Sequence, residues 1–273
     1  MHGGESMPVI TVLVTVRNEE NTVGARIRNL QNADYPAERL QILVASDGST
    51  DRTESIVNDL KKGDPRVCLF TTHGGGKSYT QSQAVGQAHG DIVVLSDSDT
   101  VFHSGALKYL AGPFADQLVG CATGRVELAR NKNSVAESQG IYWQYEMFLR
   151  KWESSAGLLH TASGSIMAFR KHLFRPFEPI YGDDCAIPLD IVSQGYRVVH
   201  VDDAVAYDEF PSTVKGELKA RTRMTLRNIT CTLKRCSLLN ALRHPLVSWA
   251  VISHKLLRWL TPLPYTTVRQ LPL

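Results

Sequence analysis

Three segments, VITVLVTV (9–16), QILVA (41–45) and DIVVLS (91–96), run apolar without alternation. A strand with one wet face alternates apolar and polar residues. An unbroken apolar run belongs to a strand covered on both faces, as in parallel sheets. Helical patterns lie between the runs. Val9–Val16, Leu40–Ala45, Arg66–Thr71 and Ile92–Leu95 read as strands, and Glu20–Gln31, Thr50–Lys62 (opening at a Ser49/Thr50 cap) and Tyr79–His89 as helices. Strands alternating with helices predict βαβ units and a mainly parallel sheet flanked by helices.

The second half has a different texture. Residues 133–160 read as helical and rich in aromatics (Tyr142, Trp143, Tyr145, Phe148, Trp152). A Ser/Gly turn at 163–165, the apolar segment IMAF, a helix at 184–194 and a strand at Tyr196–Val201 follow. From about 215 onward the pattern is helical and basic. The expected organisation is one mixed α/β unit over 8–215, with halves at 8–125 and 126–215, and a basic helical appendage over 216–273.

Hydrophobic residues are 43% and charged residues 21% of the 273 positions, which excludes disordered, collagen-like and coiled-coil chains. A net charge of +3 is too small to argue for a nucleic-acid partner. Cys68, Cys121, Cys185, Cys231 and Cys236 are odd in number and form no CxxC pair. That argues against a disulfide framework or zinc site and fits a reducing compartment. No basic segment precedes the first apolar run, and no stretch of about 18 uncharged apolar residues occurs.

The aspartates sit at strand ends. Asp47 and Asp51 follow the second strand in SDGSTD, and Asp97 and Asp99 follow the fourth in SDSD. Ligands of open α/β sheets bind beyond the carboxyl ends of the strands, so two acidic clusters at neighbouring ends converge on one crevice. Crowded carboxylates repel, and hard oxygen ligands suit Mg²⁺ or Mn²⁺ shared with a diphosphate. Read alone, DGSTD is equally an ordinary turn into a helix cap.

Two other nucleotide sites fail on inspection. TTHGGGKS follows a strand and precedes a helix, but GxxxxGK[ST] needs glycine at position 71, where Thr71 stands. The first strand leads into Val16-Arg17-Asn18-Glu19-Glu20, without the GxGxxG of a dinucleotide site.

The ordered set TVRNEE, SDGSTD, GGGK, GDIVVLSDSDT, ASGSIMAFRK and GDD resembles the family-2 inverting glycosyltransferases of the GT-A fold, from about residue 8 to about 260. The resemblance implies a nucleotide-diphosphate-sugar donor, with UDP favoured, and Mn²⁺ or Mg²⁺. It implies that Thr15, Arg17, Glu19 and Asp47 hold the nucleobase and ribose, with Lys77, Asp97 and Ser98 beside the donor nucleotide and Asp99 on the metal. It further implies that Ser163 and Gly164 line the sugar, and that Asp184, beside Asp183, is the catalytic base. Such a base takes the proton of an acceptor hydroxyl as the bond to the anomeric carbon forms. A helix N-cap role for the Asp183–Asp184 pair is compatible with this.

Processive members of the family carry Gln-x-x-Arg-Trp. This chain has Ala220-Arg221-Thr222-Arg223-Met224, which keeps an arginine at Arg223 for the diphosphate but lacks the Gln and Trp. Single-sugar transfer to a glycan, lipid-linked or small-molecule acceptor is therefore expected. A catalytically weak nucleotide-sugar-binding partner of a membrane glycan-synthesis complex is the alternative. Trp143 and Trp152 could stack on acceptor sugars, although helical spacing more often means core. His160 has no partner at zinc-ligand spacing.

In 240–262, Trp249, Ile252, Leu256, Trp259 and Leu260 form one helical stripe and His254, Lys255 and Arg258 another, a pattern suited to a membrane interface. The corresponding expectation is a cytoplasmic protein, peripheral on the cytoplasmic face of a membrane.

Overall fold

A computed structural model describes residues 7–128, 146–208, 214–235 and 245–252. The strands are β1 (Ile10–Val16), β2 (Leu40–Asp47), β3 (Val67–Thr72), β4 (Ile92–Ser96), β5 (Val101–Phe102), β6 (Val119–Leu128), β7 (Met167–Arg170) and β8 (Arg197–Asp208). The helices are α1 (Val23–Gln31), α2 (Thr53–Gly63), α3 (Lys77–Ala84), α4 (Ala106–Ala111), α5 (146–155), α6 (Asp183–Ser193), α7 (Val214–Lys234) and α8 (Pro245–Val251).

The strands form one sheet in the order β3-β2-β1-β4-β7-β6-β8-β5. β3, β2, β1 and β4 pair in parallel, β7 is antiparallel to both β4 and β6, and β8 is parallel to β6. This is the mixed, mainly parallel sheet that the apolar runs predict.

The two-residue period of each strand feeds two cores. Ile10, Val12 and Val14 of β1 pack with Val23, Ile27 and Leu30 of α1, Val57 of α2 and Leu107 and Leu110 of α4. Leu13, Leu43, Val93 and Leu95 face the other way, toward Ala84 of α3, Ile187 and Ile191 of α6, Cys231 of α7 and Val251 of α8. Each fully buried Val, Leu or Ile side chain contributes roughly 1.5–3 kcal/mol.

Several expected boundaries shift for local reasons. α2 opens at Thr53 rather than at a Ser49/Thr50 cap, because the Asp51 carboxylate takes the Thr53 N–H and hydroxyl. α1 starts at Val23, since residues 20–22 make a turn around Glu19. α3 begins two residues early, at Lys77, behind Gly76, whose φ of 88° suits glycine alone, and gives way to a 3-10 turn at Val85–Gln87. β8 runs through Asp202 and Asp203 to Asp208, well beyond Val201.

The topology decides what reaches the site. β1, β2 and β4 end at one edge of the sheet. β7 runs the other way, so its start reaches that edge and brings residues 163–165 there, while β8 ends there at Asp208.

Candidate active site

The floor of the crevice is fixed by backbone clamps. Asn18 takes a left-handed φ of 56°, and its Oδ1 accepts the Thr50 N–H at 2.8 Å. Asp51 Oδ2 accepts the Glu20 N–H at 3.1 Å, tying the loop after β1 to the start of α2. Asp51 therefore serves the frame of the site. Glu19 accepts the Thr22 hydroxyl at 2.6 Å. Thr15 Oγ1 is buried without a hydrogen-bond partner among the described residues.

Asp47 is buried beneath α3. Its Oδ1 accepts the Gly76 N–H at 3.1 Å and the Thr80 hydroxyl at 2.9 Å. Its Oδ2 lies 3.7 Å from the exposed Arg17 guanidinium. One carboxylate oxygen thus orients the helix, and the other faces the crevice mouth.

Lys77 is the hub. Its Nζ lies 2.6 Å from Asp97 Oδ1 and 3.2 Å from Asp183 Oδ2. Burial alone would lower this ammonium's pKa, but the charges of Asp183 and Asp97 and their hydrogen bonds outweigh it and hold the proton firmly. Burial would likewise raise Asp183, yet Lys77 and the Gln81 amide, donating at 2.9 Å, keep its carboxyl below the ordinary range. The expected donor-side and acceptor-side motifs therefore share one cation.

Asp97 Oδ2 accepts the Ser165 hydroxyl at 3.1 Å, and the same hydroxyl lies 3.4 Å from Asp208 Oδ2. Ser98 is half-buried and Asp99 is exposed. Partial burial, then the negative charges of Asp97 and Glu19, raise the Asp99 carboxyl above its ordinary range. An excess of negative charge on hard oxygens fits a divalent cation. Among the described residues no three His, Cys, Asp or Glu side chains gather into a full cage. A cation at Asp99 would thus complete its shell with water and diphosphate oxygens, as Mg²⁺-type sites do.

Asp183 and Asp184 open α6, where negative charge suits the helix dipole. The N-cap position itself belongs to Gly182. Asp183 Oδ1 accepts the Asp184 N–H at 3.1 Å, and Asn228 Nδ2 of α7 donates to Asp184 Oδ2 at 3.5 Å. A Cβ on Gly182 would fall 2.2 Å from Asp184 Oδ1, so only glycine leaves that carboxylate its place. Gly164 abuts Asp183, and the Ser163 N–H donates to Thr123 Oγ1 at 2.9 Å.

α7 closes one side. Arg227 Nη2 donates to the carbonyls of Pro179 (3.0 Å) and Tyr181 (2.6 Å) and to Ser78 Oγ (3.1 Å). Arg223 is exposed and joins Lys77, Pro179, Ile180 and Arg227 around a cleft of about 470 Å³. The side chain of Arg221 lies outside the described residues. A larger hollow, about 700 Å³, sits by Glu38, Asp64, Arg66 and His89, and none of the strand-end carboxylates lines it.

Some sequence expectations fall elsewhere. Trp143 lies outside the described residues. Trp152 is 59% exposed on α5, not in the core as its spacing favoured. His160 is buried, with Nδ1 3.0 Å from the Leu158 carbonyl oxygen. Leu246 and Trp249 of α8 are exposed, and residues 253–262 lie outside the described residues. No helix of the described residues is long and apolar enough to cross a membrane. Sequence reasoning missed Asp208, Asn228 and Arg26. Only Arg26 left a signal, an arginine on the apolar stripe of an amphipathic helix.

Residues 8–226 match the family described as "Glycosyltransferase like family 2". This chain belongs to that family. Among family relatives, poly-β-1,6-N-acetyl-D-glucosamine synthase of Staphylococcus aureus is 26% identical over 239 residues. That alignment covers 82% of this chain and 57% of the synthase, so the chain spans well under two thirds of the relative's length. A mannosyltransferase from Pyrobaculum calidifontis, solved in complex with GDP-Man and Mn²⁺, superposes with a TM-score of 0.69 at 22% identity, covering 91% of this chain and 75% of that one. Glucosyl-3-phosphoglycerate synthase from Mycobacterium tuberculosis, solved with Mn²⁺, UDP and glucosyl-3-phosphoglycerate, superposes with a TM-score of 0.57 at 20% identity, covering 84% and 80%. At these identities the likeness concerns the fold, which is that of the GT-A glycosyltransferases.

Proposed function

We propose that this family-2 chain is an inverting, metal-dependent glycosyltransferase that moves one sugar from a nucleotide-diphosphate donor, with UDP favoured, to a hydroxyl of a glycan, lipid-linked or small-molecule acceptor. The observation that carries the reading is Lys77, whose ammonium joins Asp97 of the donor-side loop to Asp183 of the acceptor-side helix. It supports a role for the neighbouring Asp184 at the same crevice.

The residues divide the work. Thr15, Arg17, Glu19 and Asp47 receive the nucleobase and ribose. Lys77, Asp97, Ser98 and Arg223 surround the diphosphate. Ser163 and Gly164 line the sugar, and Trp143 serves the acceptor. Asp183 orients Asp184 through its backbone N–H. Asp184 accepts the acceptor hydroxyl's proton as the new bond to the anomeric carbon forms and the bond to the diphosphate oxygen breaks. Attack opposite the leaving group inverts the centre. Lys77 and Arg223 supply positive charge where the leaving diphosphate gains negative charge. A Mn²⁺ or Mg²⁺ ion held at Asp99 would add Lewis-acid neutralisation of that charge.

The absent Gln and Trp at 220–224 support single transfer over processive polymerisation. The organisation that goes with this reading is a transferase unit over 8–215 and a helical tail over 216–273. The exposed Leu246 and Trp249 support contact of the tail with a membrane surface, on its cytoplasmic face.

The test is nucleotide release from UDP-, GDP- and dTDP-sugars with Mn²⁺, Mg²⁺ or EDTA, for wild type and Asp184→Asn. Slow hydrolysis of one donor, lost in EDTA and in the variant, is expected. Donor binding by calorimetry without turnover on any acceptor would instead favour the non-catalytic partner.

A further inference from the structure

Arg26 lies on the apolar stripe of α1 with Val23, Ile27 and Leu30, and it is 2% exposed. A guanidinium so placed is costly unless its donors and charge are met. Its Nη2 donates to Ser96 Oγ at 2.6 Å and its Nη1 to Asn29 Oδ1 at 2.5 Å, its Nε is buried without a hydrogen-bond partner among the described residues, and its central carbon lies over the Phe102 ring, 4.2 Å from the centroid. Asn29 completes the device: its Oδ1 accepts the Phe102 N–H and its Nδ2 donates to the Phe102 carbonyl, both at 2.9 Å.

Ser96 ends β4 just before Asp97, and Phe102 follows shortly after Asp99. One turn of α1 therefore holds both flanks of the segment that carries the two carboxylates. Sheet pairing also holds the two flanks, Ser96 beside Val14 of β1 and Phe102 beside Ala206 of β8, while Lys77 and Ser165 bond to Asp97 itself.

We propose that Arg26, braced by Asn29, is the positioning residue of the Asp97–Asp99 loop, fixing the attitude in which these carboxylates meet the divalent cation of the donor complex. The inference rests on the glycosyltransferase reading. Its chemistry is that of an outer shell: groups that never touch a metal set the orientation of those that do. Burial pulls the Arg26 guanidinium down to about 9, and the negative charges of Asp97 and then Asp99 offset part of that cost, so the clamp has an electrostatic as well as a hydrogen-bonded side.

Two substitutions separate the parts. Arg26→Lys keeps a cation but loses the planar fork and the ring contact, which an ammonium does not replace. Asn29→Ala keeps the guanidinium and its bond to Ser96 but removes its brace at Nη1 and frees the Phe102 flank. Mn²⁺ binding to the full chain would be followed by loss of the free-ion EPR signal, with UDP or GDP present, and corrected for folded fraction by circular dichroism. Both variants are expected to bind Mn²⁺ roughly 10–100-fold more weakly, with more metal needed for half-maximal turnover and a near-normal kcat at saturating Mn²⁺. Unchanged Mn²⁺ affinity per folded molecule in either variant would overturn the inference and leave a structural role alone. Should Arg26→Lys fail to fold, Asn29→Ala decides. A wild type that binds no Mn²⁺ with either nucleotide would overturn the functional reading itself, and this inference with it. Binding by wild type with no loss in the variants overturns only the inference.

Discussion

Lys77 Nζ lies 2.6 Å from Asp97 Oδ1, so the first residue of α3 is bonded to the loop that follows β4. Lys77→Met would leave Asp97 and Asp183 without their shared cation. The kcat/KM for the donor is expected to fall by roughly 10²–10³, the scale of losing one preorganised charge at a leaving group. Lys77→Arg should restore little, since a flat fork does not replace a compact ammonium between two carboxylates. Steady-state kinetics on the two variants check this.

Asp184→Asn keeps the shape and the Asn228 contact but removes the base. Turnover should drop by roughly 10²–10⁴, with donor affinity by calorimetry unchanged. A comparable loss of donor affinity would mean that Asp184 holds the donor rather than the acceptor's proton.

Gly182→Ala tests the same carboxylate by crowding. The added methyl would fall 2.2 Å from Asp184 Oδ1, and the φ of −82° at Gly182 is open to alanine, so the backbone bears no strain. The expected outcome is a soluble, folded protein with turnover reduced by roughly 10²-fold, the usual effect of a small misplacement of a reacting group. Circular dichroism and kinetics on one preparation separate folding from activity.

Acid should weaken the fold through His200. Its side chain is 1% exposed. Burial, then the charge of Arg150, pushes the imidazole down to about 4 against the opposing pull of Asp202. The unfolded chain takes up a proton below its ordinary pKa of about 6.5 while the folded protein refuses it, so this stability is present above pH 6.5 and lost as pH falls towards 4. The loss is on the order of 3 kcal/mol. Urea unfolding at a series of pH values should show it, and His200→Gln should flatten the curve over that window.

The strands covered on both faces were legible because burial leaves them no polar positions; β1, β2 and β4 are apolar almost throughout. β6 was not. Its sequence, VGCATGRVEL, mixes glycine, threonine and charge, and it is a strand because β7 and β8 flank it. Helix starts slipped wherever tertiary contacts chose the cap, as when Asp51 reached forward to Thr53 and across to Glu20. The strand-end aspartates announced the crevice, since the topology of an open sheet dictates where its strands end. Asp208 is hidden in the sequence because the polar pair Asp202–Asp203 reads as the end of β8. The bracing of Asp184 by Asn228 depends on how α7 lies against α6, which no local pattern encodes.

The carboxylate of Asp183 answers to α3 through Lys77 and Gln81, and to α6 through the Asp184 N–H. An ammonium that serves two carboxylates loosens one of them when it turns towards a diphosphate. Thermodynamic reciprocity then applies. Whatever free energy the donor's arrival takes from or gives to the acceptor end of this linkage, the acceptor's arrival must return in the same amount at the donor end. A change at either end of the crevice is thus felt at the other through a single ion triad.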